Sequence, residues 1–280
     1  MHIDISTPRT ASFFSSRLSS CRRPARTVAV VLTAGAAALA LTACGGPAGK
    51  GDQAGTDGAG ADKGLKLLWV GDSIAESEAP ALGAALKAGG AQFKSMAAAG
   101  GGTVVSGKPP LDELSKSTWD ELPGNIRSFK PDVIAYQITT YDWGTPEEQK
   151  KSYERLADLA AREGAQLVIV TAPPFKIDEF YKPNEGAIKT APKSAREVAE
   201  KHPGKVRFLD AAALWGTDAT ADKALRSQDG IHSCQQGAAA FAKWFGGKLG
   251  EQFPFTPAAP QEWAKGSWTG DKKYAELKCS

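Results

Sequence analysis

Short apolar runs recur along the middle of the chain, most of them bounded by glycine or proline, with helix-like stretches between them. Leu65-Lys66-Leu67-Leu68-Trp69-Val70 stops at Gly71-Asp72, and Val133-Ile134-Ala135-Tyr136-Gln137-Ile138 is introduced by Pro131-Asp132. Gln166-Leu167-Val168-Ile169-Val170 is closed by Pro173-Pro174, and Val206-Arg207-Phe208-Leu209 follows. Phe93–Met96 is a weaker run ahead of the glycines at 100–102. Apolar runs this short, bounded by turn residues, read as buried strands. Helices are expected over Ala79–Lys87, ending at Gly89-Gly90, and over Pro146–Glu163, where Leu156, Leu159 and Ala160 fall at helical spacing before Gly164. Two more are expected near Lys193–Lys201 and over about Gln235–Leu249. Alternation of this kind builds βαβ units, whose crossovers make the strands parallel and cover both faces of the sheet. The expected fold is α/β, a three-layer sandwich with a mostly parallel five-stranded sheet. No internal repeat is visible. The tail 253–280, with Trp263, Trp268 and Tyr274, reads as an irregular strap on the same domain.

The first 64 residues are of a different kind. Residues 1–43 carry Arg9, Arg17, Arg22, Arg23 and Arg26 against one acid, Asp4, and end in the apolar run Val28–Ala43. That run falls short of the roughly 20 apolar residues a membrane span needs. A basic start, a short apolar core and small residues at its end describe a signal peptide. Leu41-Thr42-Ala43-Cys44 resembles the lipobox of bacterial lipoproteins, which implies that Cys44 becomes the lipidated first residue. A buried cysteine in an ordinary signal sequence, or an uncleaved anchor, is the alternative. Residues 44–64 hold no aromatic or branched aliphatic side chain, so they bury too little surface to fold and form a Gly- and Ala-rich tether. Residues 65–280 are left as one domain. The expected location is the outer face of the bacterial cytoplasmic membrane, held by the lipid.

With the leader set aside, the charge balance changes sign. The whole chain has 34 basic and 31 acidic residues, and the five arginines and one aspartate of the leader leave 29 against 30. A nucleic-acid partner would want clustered Lys and Arg, and none is expected. Of four cysteines, Cys21 leaves with the signal and Cys44 takes lipid. Cys234 and Cys279 remain as an even pair in an exported protein, which favours a disulfide over two free thiols. Two cysteines and two histidines without ligand spacing do not make a zinc site, and no metal or cofactor is expected.

In an open parallel sheet, ligands sit beyond the C-terminal ends of the strands. The first such loop is Gly71-Asp72-Ser73-Ile74, which puts a serine hydroxyl at a helix N-terminus, where backbone N–H groups and the helix dipole favour negative charge. Asp and Ser are also common helix caps, so the turn alone is weak evidence. A hydroxyl needs a base to become a nucleophile. The chain has three histidines: His2 leaves with the signal, and His202 sits in Lys201-His202-Pro203-Gly204, an ordinary helix end. His232 stands in Ser227-Gln228-Asp229-Gly230-Ile231-His232, before the last helix, with an acid three residues earlier. A carboxylate so placed can orient the imidazole and stabilise the imidazolium formed on proton transfer.

Gly-Asp-Ser after the first strand and Asp-Gly-Ile-His before the last helix, taken together, resemble the SGNH/GDSL hydrolase family over about Leu65 to Leu249. The resemblance implies a flavodoxin-like sheet, with Ser73 as nucleophile, His232 as general base and acid, and Asp229 as orienting carboxylate. It also implies an oxyanion hole built from the N–H of Ser73 and of a glycine after the second strand. Gly100, of Gly100-Gly101-Gly102, is the choice; two of the three glycines have the bland role of a flexible loop. The family's third block is Gly-x-Asn-Asp, and here Thr139-Thr140-Tyr141-Asp142 departs from it. Asp142 is kept, but Tyr141 stands in the Asn slot, either donating its phenol to the oxyanion or walling the pocket with Trp143. The activity implied is hydrolysis of O-acyl esters through an acyl-enzyme, on envelope polysaccharide or lipid. Acyl transfer to a sugar by the same triad is the alternative. A third reading is a degenerate binding lipoprotein that stacks sugars on the tail tryptophans. Substrate identity, partner proteins and oligomeric state are not readable.

Overall fold

A computed structural model describes residues 64–279. The leader and the tether up to residue 63, with Cys44, lie outside the described residues. Five strands form one parallel sheet: β1 (Lys66–Val70), β2 (Gln92–Ser95), β3 (Val133–Gln137), β4 (Gln166–Val170) and β5 (Val206–Leu209). Their order is β2-β1-β3-β4-β5, with every neighbouring pair parallel. This is the flavodoxin-like order, whose connections reverse direction between β1 and β3 and open a crevice there.

The helices that pack on the sheet are α1 (Ser73–Ala88), α2 (Leu111–Phe129), α3 (Pro146–Arg162), α4 (Glu185–Lys201), the single turn α5 (Ala212–Trp215) and α6 (Gln235–Gly250). Alternate strand residues divide the core in two. Leu67, Trp69, Val133, Ala135, Val168 and Val170 face α1, α5 and α6, where Trp69, Trp215, Phe241 and Phe245 are fully buried. Leu68, Val70, Ile134, Tyr136, Leu167 and Ile169 face α2, α3 and α4. Each large side chain buried in this way contributes roughly 1.5–3 kcal/mol.

Three helices differ from expectation, each for a local reason. α1 starts at Ser73, well before Ala79, and runs straight through Pro80. Its buried positions include Ser77 and Glu78, so its first half lacks an apolar stripe. α2 was not expected at all. Its inward positions are Leu111, Ser115, Thr118, Leu122 and Ile126, a helical spacing blurred by two polar members, and Pro123 lies inside it. α4 begins at Glu185 and carries Pro192, the residue that makes the first half look broken.

The strap is more ordered than expected. It contains α7 (Pro260–Trp263) and α8 (Lys272–Glu276), and Phe253, Trp263 and Tyr274 are buried in the core beneath α1 and α6. Tyr274 donates its hydroxyl to the Ser77 carbonyl at 3.1 Å. Cys279 is joined to Cys234, the residue that precedes α6, by a disulfide. The tail tryptophans, read as sugar-stacking surfaces, are packed into the fold. Trp263 is only 5% exposed, and half-buried Trp268 donates its N–H to the Trp263 carbonyl.

Candidate active site

The site forms at the β1/β3 crevice. Gly71 ends β1 where a Cβ would come within 2.5 Å of the Ala75 side chain, so the turn into α1 is closed too tightly for any larger residue. Asp72 caps α1 by accepting the Ile74 N–H at 3.0 Å. Its other oxygen accepts both the N–H and the hydroxyl of Thr140, at 2.7 and 2.8 Å, and so ties the β1 turn to the β3 turn. Burial raises the Asp72 pKa, and the Thr140 and Ile74 hydrogen bonds oppose it. Ser73 is the first helical residue, and its N–H has no intrahelical acceptor.

The loop before α6 brings up the other two residues. His232 Nε2 lies 2.8 Å from Ser73 Oγ, and His232 Nδ1 lies 2.7 Å from Asp229 Oδ2. A carboxylate at Nδ1 keeps the ring proton there, which leaves Nε2 as acceptor for the serine hydroxyl. The other Asp229 oxygen accepts the Ser227 hydroxyl (2.6 Å) and the N–H groups of Ile231 (2.7 Å) and His232 (3.0 Å). Burial alone would raise the Asp229 pKa, but these hydrogen bonds and the imidazole hold it well below the usual carboxylate range. Gly230 makes the turn possible with φ +73°, and its carbonyl accepts the Lys176 N–H from the loop after β4. Ser73, His232 and Asp229 therefore form one continuous hydrogen-bonded chain. His202 lies far along the chain from it, capping the end of α4.

The glycine loop leans on the nucleophile turn, with the Ala98 N–H donated to the Gly71 carbonyl at 3.0 Å. Gly100 sits in an exposed turn with φ +72°. The close approach is made two residues later: at buried Gly102, φ +79°, a Cβ would fall 1.9 Å from the Gly71 carbonyl oxygen. Gly100, the expected choice, is therefore not the glycine that meets the nucleophile turn, and nothing in a run of glycines tells which one touches a backbone.

Tyr141 is half-buried in an aromatic wall, its ring 5.3 Å from Trp143, 6.3 Å from Phe180 and 6.4 Å from Tyr181. Burial raises its phenol pKa and the nearby Asp72 carboxylate raises it further, against the Tyr181 hydroxyl. Among the described residues neither Gly100 nor Tyr141 is hydrogen-bonded to the Ser73–His232–Asp229 chain. An open groove of ≈ 660 Å³ runs between the Phe175–Ile177 segment and the Leu225–Gly230 segment, beside the loop that carries Asp229.

Asp142 holds this scaffold together, a role the sequence did not disclose. It is fully buried. Its Oδ1 accepts the hydroxyls of Thr103 (2.7 Å), Tyr136 (2.7 Å) and Thr139 (2.6 Å), and its Oδ2 accepts that of Tyr153 (2.6 Å). One carboxylate thus joins the glycine loop, β3 and α3. Burial raises its pKa and the four hydroxyls oppose that rise, while Tyr136 and Tyr153 are pushed well above 10 by burial and by Asp142 itself.

No protein-family model matches the sequence, and neither does any curated protein. Solved structures do match. An aryl esterase of M. smegmatis superposes with a TM-score of 0.52 at 15% identity, over 68% of this chain and 100% of that one. An acetyl esterase mutant with acetate ion gives 0.50 at 14%, over 67% and 97%. A putative acylhydrolase of Bacteroides fragilis gives 0.50 at 12%, over 68% and 89%. At such low identity the likeness is one of architecture, and by that measure this chain has the SGNH-hydrolase fold.

Proposed function

We propose that the protein is a serine esterase that cleaves O-acyl esters through an acyl-enzyme on Ser73. The observation that carries this reading is the unbroken run from Ser73 Oγ through both nitrogens of His232 to Asp229, at 2.8 and 2.7 Å. Hydrogen-bonded nucleophile, base and orienting acid make a hydroxyl reactive. A capping serine and a structural histidine have no need of this alignment.

In the first step Ser73 Oγ bonds to the ester carbonyl carbon while its proton passes to His232 Nε2. The carbonyl electrons move onto oxygen, where the Ser73 N–H, the N–H of Gly100 and the Tyr141 phenol stabilise them. A lost oxyanion donor costs about 3 kcal/mol of transition-state stabilisation. Collapse restores the carbonyl and expels the alcohol, which leaves with the proton from His232. Water then repeats the sequence on the acyl-enzyme and releases the acid. Asp229 stays ionised throughout, consistent with a pKa held below the ordinary range.

The substrate reading follows from location. The leader, the Cys44 motif and the tether give an exported domain held at the outer face of the membrane, and the Cys234–Cys279 disulfide is in keeping with an oxidising compartment. Acyl groups on envelope glycans or lipids are the esters within reach there. Acyl transfer uses the same intermediate with a sugar hydroxyl in place of water.

The test is release of acetate from an acetylated glycan and from 4-nitrophenyl acetate, with and without a polyol acceptor. Hydrolysis that is lost in Ser73→Ala supports the esterase. An acylated polyol as the main product moves the assignment to transfer, and inactivity on both substrates removes the enzymatic reading.

A further inference from the structure

Beneath the histidine loop lies a layer of polar side chains that the reaction itself does not use. Glu78 is wholly buried on α1, five residues after Ser73. Its Oε2 accepts the Gln137 amide of β3 at 2.7 Å, and its Oε1 accepts the Ser233 hydroxyl at 3.3 Å. Ser233 Oγ in turn accepts a guanidinium N–H of Arg226 at 2.8 Å. Arg226 also donates to the Ile231 carbonyl (3.0 Å) and the Ala224 carbonyl (2.8 Å), with its guanidinium 4.9 Å from the Trp215 ring. The residues immediately before and after His232 are therefore both held by Arg226. The Ser233 N–H also donates to Ser77 Oγ on α1. Arg226 and Ser233 pair as an antiparallel bridge, which closes the base of the loop.

A buried carboxylate is costly unless something requires its charge. Here the charge reaches Arg226 through one hydroxyl, and Arg226 reaches both flanks of His232. We propose that Glu78 is a positioning residue for His232: through Ser233 and Arg226 its carboxylate fixes the histidine loop on the same helix that presents Ser73. The inference rests on the assignment of Ser73 and His232 as nucleophile and base.

The device is sensitive to pH. The charged and titratable groups around Glu78 are Arg226 on the loop, Asp72 on its own helix and Tyr274 on the strap, with Gln137 and Ser233 as neutral partners. Burial pushes Glu78 up to about 7, against Arg226, Gln137 and Ser233, and Asp72 adds to the rise. Protonated Glu78 no longer draws the Ser233 hydroxyl toward itself, and the guanidinium loses its counter-charge from beneath. Activity then falls as Glu78 takes up its proton.

Wild type, Glu78→Gln, Ser233→Ala and Ser73→Ala are compared on 4-nitrophenyl acetate between pH 5.5 and 9. In Glu78→Gln, kcat at pH 8 should fall ~100-fold with KM nearly unchanged, the loss expected when a reacting group is displaced by about an ångström. The acid limb of log kcat should be steeper in the wild type than in Glu78→Gln, where the Glu78 proton no longer counts. Should Glu78→Gln fail to fold, Ser233→Ala breaks the same relay with the charges kept, and should lower kcat in the same way. Amide exchange of residues 227–233 is read in parallel and needs no turnover; it should quicken at least tenfold in either variant. Wild-type kcat and slope, or unchanged exchange, in a folded variant overturns the positioning role. Equal turnover by Ser73→Ala and wild type overturns the catalytic assignment instead.

Discussion

The Cys234–Cys279 bridge should carry a large share of the domain's stability, and its contribution is calculable from the chain. It closes a segment of sequence separation 45. Cross-linking a loop of that length removes unfolded-state entropy worth about 4 kcal/mol at 25 °C. For a domain of this size that corresponds to a drop in Tm of roughly 8–16 °C when the bridge is removed. The folded strap has other anchors: Phe253, Trp263 and Tyr274 are buried, and Tyr274 is bonded to the Ser77 carbonyl. The loss should therefore appear in unfolding and leave the folded site intact. A Cys234→Ala/Cys279→Ala double variant, compared with the oxidised wild type in urea unfolding, should lose about 3–4 kcal/mol while kcat stays within about twofold. A loss below about 1 kcal/mol would refute the loop-entropy reasoning. A collapse of kcat together with stability would show instead that the bridge holds the His232 loop in the native state.

Stability should also depend on pH through Glu78. Folded Glu78 keeps its proton up to about 7, against an ordinary value of 4.5, so the group's contribution is complete below 4.5 and is lost as pH rises through 7. At 1.36 kcal/mol per unit, that amounts to about 3 kcal/mol. Urea titrations across pH 4.5–8 should show the decline in wild type and a flatter profile in Glu78→Gln. Tyr153→Phe removes the one donor to Asp142 Oδ2 among the described residues and should cost about 2–3 kcal/mol in unfolding free energy, whereas a loss under about 0.5 kcal/mol would show that the Asp142 cluster is not a keystone. Tyr141→Phe should lower kcat about 100-fold with KM held if its phenol serves the oxyanion, and an unaltered kcat reduces the residue to a pocket wall.

The sheet was legible in the sequence because β1, β3 and β4 are buried on both faces and so read as apolar runs, whereas the edge strands β2 and β5 carry polar, partly exposed positions. All five strands appear within a residue or two of their expected bounds. Helices were legible where apolar or small residues ran without an internal proline, as in α3 and α6. α3 also has a clear start, with Thr145 and Glu148 forming a capping box around Pro146. α2 has neither, since Ser115 and Thr118 occupy inward positions and no side chain caps it. The scarcity of histidine is what singled out His232, and Asp229 followed from its spacing. Glu78 and Arg226, and the roles of Asp142 and Thr140, stayed hidden for a common reason. Each acts through partners distant in sequence, and a buried acid inside a helix looks the same on paper as one facing water. Gly102 was hidden by its neighbours, since only the approach of the Gly71 carbonyl distinguishes it.

The central claim is that His232 activates Ser73 for attack on an acyl carbon. The most direct measurement is mass analysis of the purified chain after exposure to a fluorophosphonate, with Ser73→Ala and His232→Ala beside it. One adduct is expected, mapped to Ser73, absent from Ser73→Ala and formed at least ~1000-fold more slowly in His232→Ala. An adduct at another residue, equal labelling without His232, or no adduct on a folded wild type that also leaves 4-nitrophenyl acetate intact would contradict it.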